Sequence, residues 1–176
     1  SLIMTKLKIL GVKDNADSYK VKKDNIFHLP MRLVIVGKSQ LSGKTTLITN
    51  LLARKEFYKN DFNPENIFII SPSIKNDSKL KKLIKFLKIP KDNLFNKYDD
   101  ELLNGIYDMI DDEYQQAEEE GRRPEQYLFY LDDLGFSGDM RKQKNNFVGR
   151  VFMNGRHLNI STIIALQSYK QLSPSV

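Results

Sequence analysis

One segment, MRLVIVGKSQLSGKTTLITNLL at residues 31–52, constrains the fold more than any other part of the sequence. It begins with an apolar run of strand length and continues through a loop of small and polar residues. It ends in a run whose leucine and isoleucine side chains recur on one helical face. Gly43-Lys44-Thr45-Thr46 marks the start of that helix. A strand, a loop and a helix in this order, with these residues at the turn, predict a phosphate-binding P-loop.

The chemistry of such a loop predicts a role for each position. Successive backbone N–H groups surround an oxyanion, and the helix N-terminus adds unpaired N–H groups and a positive dipole. We expect Lys44 to bind the β- and γ-phosphates and the hydroxyl of Thr45 to be a ligand of Mg²⁺. The predicted nucleotide-binding positions are Gly37, Lys38, Ser39, Gln40, Leu41, Ser42, Gly43, Lys44, Thr45 and Thr46.

The spacing of the loop departs from the usual G-x-x-x-x-G-K-[ST] pattern. Five residues separate Gly37 from Gly43, so a strict alignment places Lys38 at the first glycine position. We interpret this as a loop that is one residue longer. The alternative, a chance Gly-Lys-Thr in a turn, is disfavoured by the flanking strand and helix.

A second informative stretch is YLFYLDD at residues 127–133, in which an apolar and aromatic run ends in two carboxylates. In P-loop enzymes the first acid after this strand, the Walker B strand, binds Mg²⁺ directly or through water. We therefore predict that Asp132 holds the metal and that Asp133 is the base that polarises the attacking water. The alternative is that two aspartates only cap a turn.

Two further strands are predicted to end in polar residues. ISTIIAL at residues 160–166 is followed by Gln167, whose amide can contact the γ-phosphate or the water if this strand lies beside the Walker B strand. NIFIIS at residues 66–71 is followed by Pro72, and Ser71 and Ser73 either contact Mg²⁺ or water or cap the next turn. Because the carboxyl ends of parallel strands meet at one edge of a sheet, these residues are expected near the P-loop.

The order of elements predicts the fold class and the domain organisation. Strands alternate with helices, which is typical of an α/β three-layer sandwich with a mainly parallel central sheet. A lysine-rich helix is expected within residues 75–91, and an acidic helix from Asp99 or Asp100 to about Glu120. A further helix is expected over about 145–154. We assign residues 1–29 to an N-terminal extension and residues 30–176 to a P-loop domain.

Composition narrows the class of protein. The chain has no cysteine and only two histidines, which disfavours disulfides and zinc sites, and no apolar run is long enough for a membrane segment. The net charge of +6 is unevenly distributed. Residues 92–133 carry fourteen acidic and three basic side chains, and the rest of the chain carries +17. Such asymmetry indicates a surface for a polyanion beside a separate acidic surface, or lysines that are simply solvated.

Residues 30–46, the YLDD strand and above all GRHLNISTIIALQSYKQL at residues 155–172 resemble the poxvirus-type genome-packaging ATPases. These occur in nucleocytoplasmic large DNA viruses and virophages, within the FtsK/HerA superfamily of DNA-pumping motors. The resemblance covers about residues 27–172 and implies a RecA/FtsK-like P-loop fold of the ASCE division. Fuller members of that family carry a further strand and helix beyond the part that this chain matches.

The resemblance also implies activity, partners and residue roles. It implies hydrolysis of ATP with Mg²⁺ and translocation of double-stranded DNA into a preformed capsid by a homo-oligomeric ring, a pentamer or hexamer, that meets a capsid or capsid vertex protein. The virion and the host cytoplasm are the expected locations. On the matching positions Lys44 and Thr45 are Walker A, Asp132 and Asp133 are Walker B, and Gln167 is the sensor. Arg156 is the expected arginine finger that reaches a neighbour's nucleotide, with Arg150 as the alternative.

Three other functions are compatible with the motifs. A small-molecule P-loop kinase would need a second substrate pocket and a basic lid, for which Arg141, Lys142 and Lys144 could serve. A cellular FtsK/HerA-like DNA translocase would share the chemistry and differ in cargo. A nucleotide-dependent switch would bind and hydrolyse slowly without performing mechanical work. DNA contacts of the motor are expected from the 138–144 loop and from the N-terminal basic patch around Lys20, Lys22 and Lys23.

Overall fold

A computed structural model describes residues 27–38, 43–134 and 146–167 of the chain. Its centre is a five-stranded sheet in which every neighbouring pair of strands is parallel and the spatial order is β1-β5-β4-β2-β3. The strands are β1 (Arg32–Val36), β2 (Ile67–Ile70), β3 (Leu94–Phe95), β4 (Tyr127–Asp132) and β5 (Ile160–Leu166). This sheet confirms the predicted fold class.

Four α-helices in the described part of the chain connect these strands and cover both faces of the sheet. They are α1 (Lys44–Ala53), α2 (Ser78–Leu87), α3 (Asp100–Glu119) and α4 (Phe147–Asn154). Short 3₁₀ turns occupy Pro64–Asn66, Lys91–Asn93 and Gly155–Leu158. None of the described helices combines the length and the apolar character that crossing a bilayer requires.

Alternation along the strands divides the apolar side chains between two cores. On one face, Leu128 and Tyr130 of β4 pack with the apolar side chains of α1 and α2. On the other face, Phe129 and Leu131 pack with those of α3 and α4. All seven residues of β5 are buried, as a central parallel strand with helices on both sides requires. The result is a three-layer sandwich whose outer layers are the α1/α2 layer and the α3/α4 layer.

Polar side chains set the starts of three helices. Asp77 accepts hydrogen bonds from the backbone N–H groups of Lys79 and Leu80 at the start of α2. Asp99 accepts one from Leu102 N at the start of α3, so Asp99 rather than Asp100 is the N-cap. Asn146 accepts one from Gly149 N at the start of α4. Such N-caps satisfy backbone donors that the helix itself leaves unpaired.

The structure differs from the sequence predictions at several boundaries. The strand expected at 66–71 is only Ile67–Ile70. The lysine-rich helix is shorter than the run of lysines, because Asp77 caps its start and Lys88, with a φ of 57°, ends it. Strand β3 was not predicted, because two residues are too few for any periodic pattern. The basic patch around Lys20, Lys22 and Lys23 and the 138–144 loop lie outside the described residues.

Candidate active site

The carboxyl ends of β1, β5 and β4 form one continuous edge. Strand β5 lies between the other two and pairs with both. Beyond the strands, Gly37 N donates to Leu166 O at 2.9 Å and Asp133 N donates to Ala165 O at 3.1 Å. Both bonds end on the last residues of β5. They therefore bring three parts together at this edge: the start of the P-loop at Gly37, the second aspartate, Asp133, and Gln167. The expected neighbourhood of β5 and the Walker B strand is therefore confirmed.

Lys44 lies within the P-loop rather than in solvent. It is 9 % exposed, and its Nζ donates to the carbonyl oxygen of Gly37. Gly43 precedes α1 with a φ of +82°, a left-handed conformation that glycine adopts without a steric penalty. Among residues 27–38, 43–134 and 146–167, no side chain caps α1. The first N–H groups of a helix lack partners within the helix, and in a P-loop these groups bind an anion.

Three further predicted nucleotide-binding residues lie at the two ends of the P-loop. Thr45 is half-buried and Thr46 is exposed in the first turn of α1. Lys38 is exposed at the end of β1. The four predicted loop positions Ser39, Gln40, Leu41 and Ser42 lie outside the described residues.

Asp132 is the last residue of β4 and is buried, with 8 % of its surface exposed. Its Oδ2 accepts a hydrogen bond of 2.9 Å from the hydroxyl of Ser71, which is completely buried at the end of β2. Ser71 Oγ in turn accepts one from Ser73 N at 3.1 Å. Of the two roles that the sequence left open for Ser71, the structure supports the second, because Ser71 stabilises the next turn. The structure adds a role that was not predicted, since Ser71 also orients the carboxylate of Asp132.

Burial is the largest cause that raises the pKa of Asp132 above its ordinary value, and the nearby charge of Asp133 adds to it. The hydrogen bond from Ser71 opposes this effect, because it stabilises the charged form. A buried carboxylate of this kind is stabilised by a cation, which is the electrostatic setting expected of a metal ligand.

The donor set fits Mg²⁺ in the form used by nucleotide enzymes. Among residues 27–38, 43–134 and 146–167 no cluster of three or more His, Cys, Asp or Glu side chains could hold a metal. Mg²⁺ in such enzymes takes one or two protein ligands and completes its shell with phosphates and water. Thr45 and Asp132 would be those ligands. The hydroxyl of the buried Tyr130 faces Asp132 and, like that of Ser71, stabilises the charged form of this carboxylate.

Asp133 and Gln167 contact each other directly. The backbone of Asp133 is left-handed, with a φ of 47°, and Gln167 Nε2 donates to its Oδ2 at 3.0 Å. A non-glycine residue in this conformation is uncommon and is often found at functional sites. The predicted base and the predicted sensor are thus one hydrogen-bonded pair above β4 and β5. Their catalytic roles remain predictions.

Comparison with known proteins agrees with this geometry. The sequence model of the poxvirus A32 protein family matches residues 18–175. The chain belongs to the poxvirus A32 protein family. This membership confirms the family resemblance of residues 30–46, 127–133 and 155–172, and the fold is the one found in P-loop ATPase domains.

One solved structure supports the same fold, and a second is reported for comparison. EssC (ATPases 2 and 3) from Geobacillus thermodenitrificans is 16% identical with a TM-score of 0.53, and the match covers 82% of this chain and 30% of that one. The cytoplasmic domain of the type VII secretion ATPase EccC from Thermomonospora curvata is 14% identical with a TM-score of 0.46, covering 79% and 16%. The A32-family chain thus spans about 30% of the EssC chain. No curated protein sequence matches it significantly.

The two arginine-finger candidates of this A32-family chain occupy different settings. Arg156 is exposed in the 3₁₀ turn between α4 and β5. This turn is at the amino end of β5, whereas the P-loop of the same chain is at the carboxyl ends of the strands. Arg150 on α4 is bonded within the chain, because its guanidinium donates to Asn104 and Asp108 at 2.8 Å and lies 4.2 Å above the ring of Tyr107. The position of Arg156 is compatible with action on a neighbour rather than on its own nucleotide.

One residue near the site was missed by the sequence analysis. Lys79, in the first turn of α2, donates from Nζ to Thr46 Oγ1 at 3.2 Å. Its ammonium group therefore lies beside the start of α1, where the phosphates are expected. Nothing in the lysine-rich run distinguished this lysine from its neighbours, because the distinction depends on the packing of α2 against α1.

Proposed function

We propose that this chain is the ATP-driven motor that moves double-stranded viral DNA into a preformed capsid. The observation that carries the proposal is the joining of Gly37, Asp133 and Gln167 at the end of β5 in a chain of the poxvirus A32 family. Loss of the γ-phosphate at this edge would change the contacts of Gln167, the sensor, and of the ends of β4 and β5.

The chain's residues divide the hydrolytic work. Lys44 and the N–H groups of α1 bind and orient the triphosphate, and Asp133 accepts a proton from the attacking water while Gln167 fixes its carboxylate. Mg²⁺, when bound by Thr45 and Asp132, neutralises charge that develops on the phosphates. Arg156 of a neighbouring subunit would complete the site, a contribution typically worth roughly 10³ to 10⁵ in rate.

Partners and location follow from the proposed motor role. The working form would be a homo-oligomeric ring of five or six subunits that surrounds double-stranded DNA and engages a capsid or capsid vertex protein. DNA would be held through its phosphates without regard to sequence, so that binding weakens as salt rises. The protein would act in the virion and in the host cytoplasm where virions assemble.

The proposal is tested by steady-state ATP hydrolysis with and without double-stranded DNA, over a range of protein concentrations. We expect slow turnover in dilute protein and faster turnover when concentration and DNA favour assembly. Asp133→Asn is the control, since it should bind ATP and hardly turn it over.

Two results would contradict the proposal. Turnover that never responds to DNA would remove the motor function. Transfer of the γ-phosphate to a nucleoside or nucleotide, without any effect of DNA, would instead favour a small-molecule kinase. Near wild-type hydrolysis by Asp133→Asn would show that Asp133 is not the base.

A further inference from the structure

The two outer helical layers carry opposite charges. Residues 75–91 contain seven lysines and one aspartate, and α2 lies in the α1/α2 layer. Residues 99–120 contain ten acidic side chains and no basic one, and α3 lies in the α3/α4 layer. Because the sheet separates these layers, a positive and a negative surface face away from each other on one molecule. Arg122 pairs with Glu113 and Glu120, and Arg150 pairs with Asp108, so the described chain neutralises only part of this acidic charge.

Each surface is open to a partner. We define the basic face by exposed lysines of α2 and its flanks, Lys75, Lys79, Lys81, Lys82, Lys85 and Lys88. We define the acidic face by exposed side chains of α3 and its end, Glu101, Asp108, Asp112, Glu118, Glu119 and Glu120. Apolar side chains stand among these charges: Phe86 on the basic face is 55% exposed, and Met109 on the acidic face is 71% exposed. Charged surroundings with an apolar centre are typical of protein interfaces.

We propose that the basic face of one chain docks on the acidic face of the next copy. Two basic faces repel each other, as do two acidic faces, so a contact between like surfaces is disfavoured. Only the head-to-tail contact brings opposite charges together, and such a heterologous contact generates a ring when its rotation closes. This inference rests on the proposed motor, which requires a ring, and it assigns the surfaces that build it.

The docking would also bring together the two halves of the active site. Lys79 on the basic face contacts Thr46 in the P-loop helix, so this face adjoins the nucleotide. Both finger candidates belong to the opposite layer: Arg150 is bonded to Asp108 of the acidic face, and Arg156 follows α4 directly. The head-to-tail contact therefore places an arginine-bearing layer against its neighbour's nucleotide-bearing layer.

Charge reversal tests the contact, with sedimentation velocity as the measurement. One variant carries Lys81→Glu, Lys82→Glu and Lys85→Glu, and the other carries Asp112→Lys, Glu118→Lys and Glu119→Lys. All six positions are exposed and lie outside the catalytic machinery. Each variant alone should associate at least about tenfold more weakly than the wild type, because like charges then meet. An equimolar mixture should recover association, since each variant then offers the surface that the other lacks.

Controls separate this result from misfolding and from a general salt effect. Lys55→Glu changes an exposed lysine outside both faces and should associate like the wild type. Thermal unfolding of each variant should stay cooperative. Wild-type association should weaken when salt rises from about 0.05 M to about 0.5 M, which shortens the range of the charges.

Three outcomes would overturn the proposal. They are wild-type protein that stays monomeric throughout, variants that associate as well as the wild type, and a mixture that fails to recover association. If the lysine variant loses DNA binding with unchanged sedimentation, the basic face belongs to DNA and the proposal is wrong. If DNA still stimulates ATP turnover in any of these cases, the proposed motor function stands although the proposed interface is wrong. If the wild type assembles as predicted but DNA does not stimulate its turnover, the motor function is wrong and the interface stands.

Discussion

At the scale of single residues, the active site depends on how one buried carboxylate is held. Asp132 has little solvent around it, and Ser71 donates a hydrogen bond of 2.9 Å to one of its oxygens. This bond leaves the orientation of the carboxylate fixed before a metal binds. A ligand that is already oriented loses less entropy when it coordinates the ion.

Ser71→Ala should weaken the binding of Mg²⁺ with nucleotide. Loss of one hydrogen bond to the carboxylate should raise the Mg²⁺ concentration for half-maximal binding by about 2- to 10-fold. The measurement is a Mg²⁺ titration of binding by a fluorescent ATP analogue. Ser71→Thr keeps a hydroxyl and should recover much of the loss, and Ser73→Ala is the matched control. Equal titrations for Ser71→Ala and the wild type would show that the bond has no such role.

Asp132→Asn should stabilise the protein in the absence of Mg²⁺ and nucleotide. Burial raises the pKa of Asp132. Folding therefore favours the neutral carboxyl, and stability is lost as pH rises through the folded-state pKa. The neutral amide of the variant avoids this loss. The melting temperature of Asp132→Asn at pH 7 should therefore be higher than that of the wild type by about 2–4 °C, which corresponds to about 1 kcal/mol of unfolding free energy in a chain of this size. Calorimetry in chelator should show the difference shrinking in acid. A variant less stable at neutral pH would contradict the argument.

At the scale of elements, Asp100 joins two helices that the sequence treats as separate. Its Oδ1 accepts hydrogen bonds from Tyr98 Oη at 2.6 Å and from Phe147 N at 2.8 Å. Its Oδ2 accepts one from Asn104 at 2.9 Å. One carboxylate at the start of α3 thus fixes the start of α4. Burial and this bond to Asp100 raise the pKa of Tyr98, so its hydroxyl stays a donor.

Asp100→Ala should lower the free energy of unfolding by about 2–3 kcal/mol, since it leaves several partly buried donors without an acceptor. Urea denaturation measures the change. Asp112→Ala is the matched control on the exposed side of α3 and should stay within about 0.5 kcal/mol of the wild type. A small effect at Asp100 would mean that α3 and α4 are held together by apolar packing alone.

Most elements were predictable because each carries a local signal. The apolar runs that became β1, β4 and β5, the cap at Asp99, and the helix after Gly43 all followed from periodicity and turn chemistry. The roles of Lys79 and Asp100 did not follow, because they depend on contacts between helices that sequence spacing does not reveal. The edge strand β3 was missed for a different reason: two residues show no period.

At the scale of the whole molecule, the proposed ring predicts that subunits complete one another's sites. Arg156 lies across the sheet from its own P-loop, so Arg156→Ala should reduce turnover even though nucleotide binding within the subunit is intact. Lys44→Ala should lose nucleotide affinity while keeping its arginine. Mixed assemblies of the two variants should regain activity in steady-state ATP hydrolysis. If the ATP turnover of the mixture does not exceed the sum of the turnovers of the two separate proteins, Arg156 does not act on a neighbouring subunit.

The central claim is that the carboxyl edge of β1, β5 and β4 binds Mg²⁺ and a triphosphate. A crystal structure of Asp133→Asn with Mg²⁺ and a non-hydrolysable ATP analogue tests it most directly. We predict that Lys44 Nζ contacts the β- and γ-phosphates and that the metal lies between Thr45 and Asp132. A nucleotide bound elsewhere, or a metal that Asp132 does not approach, would contradict the account.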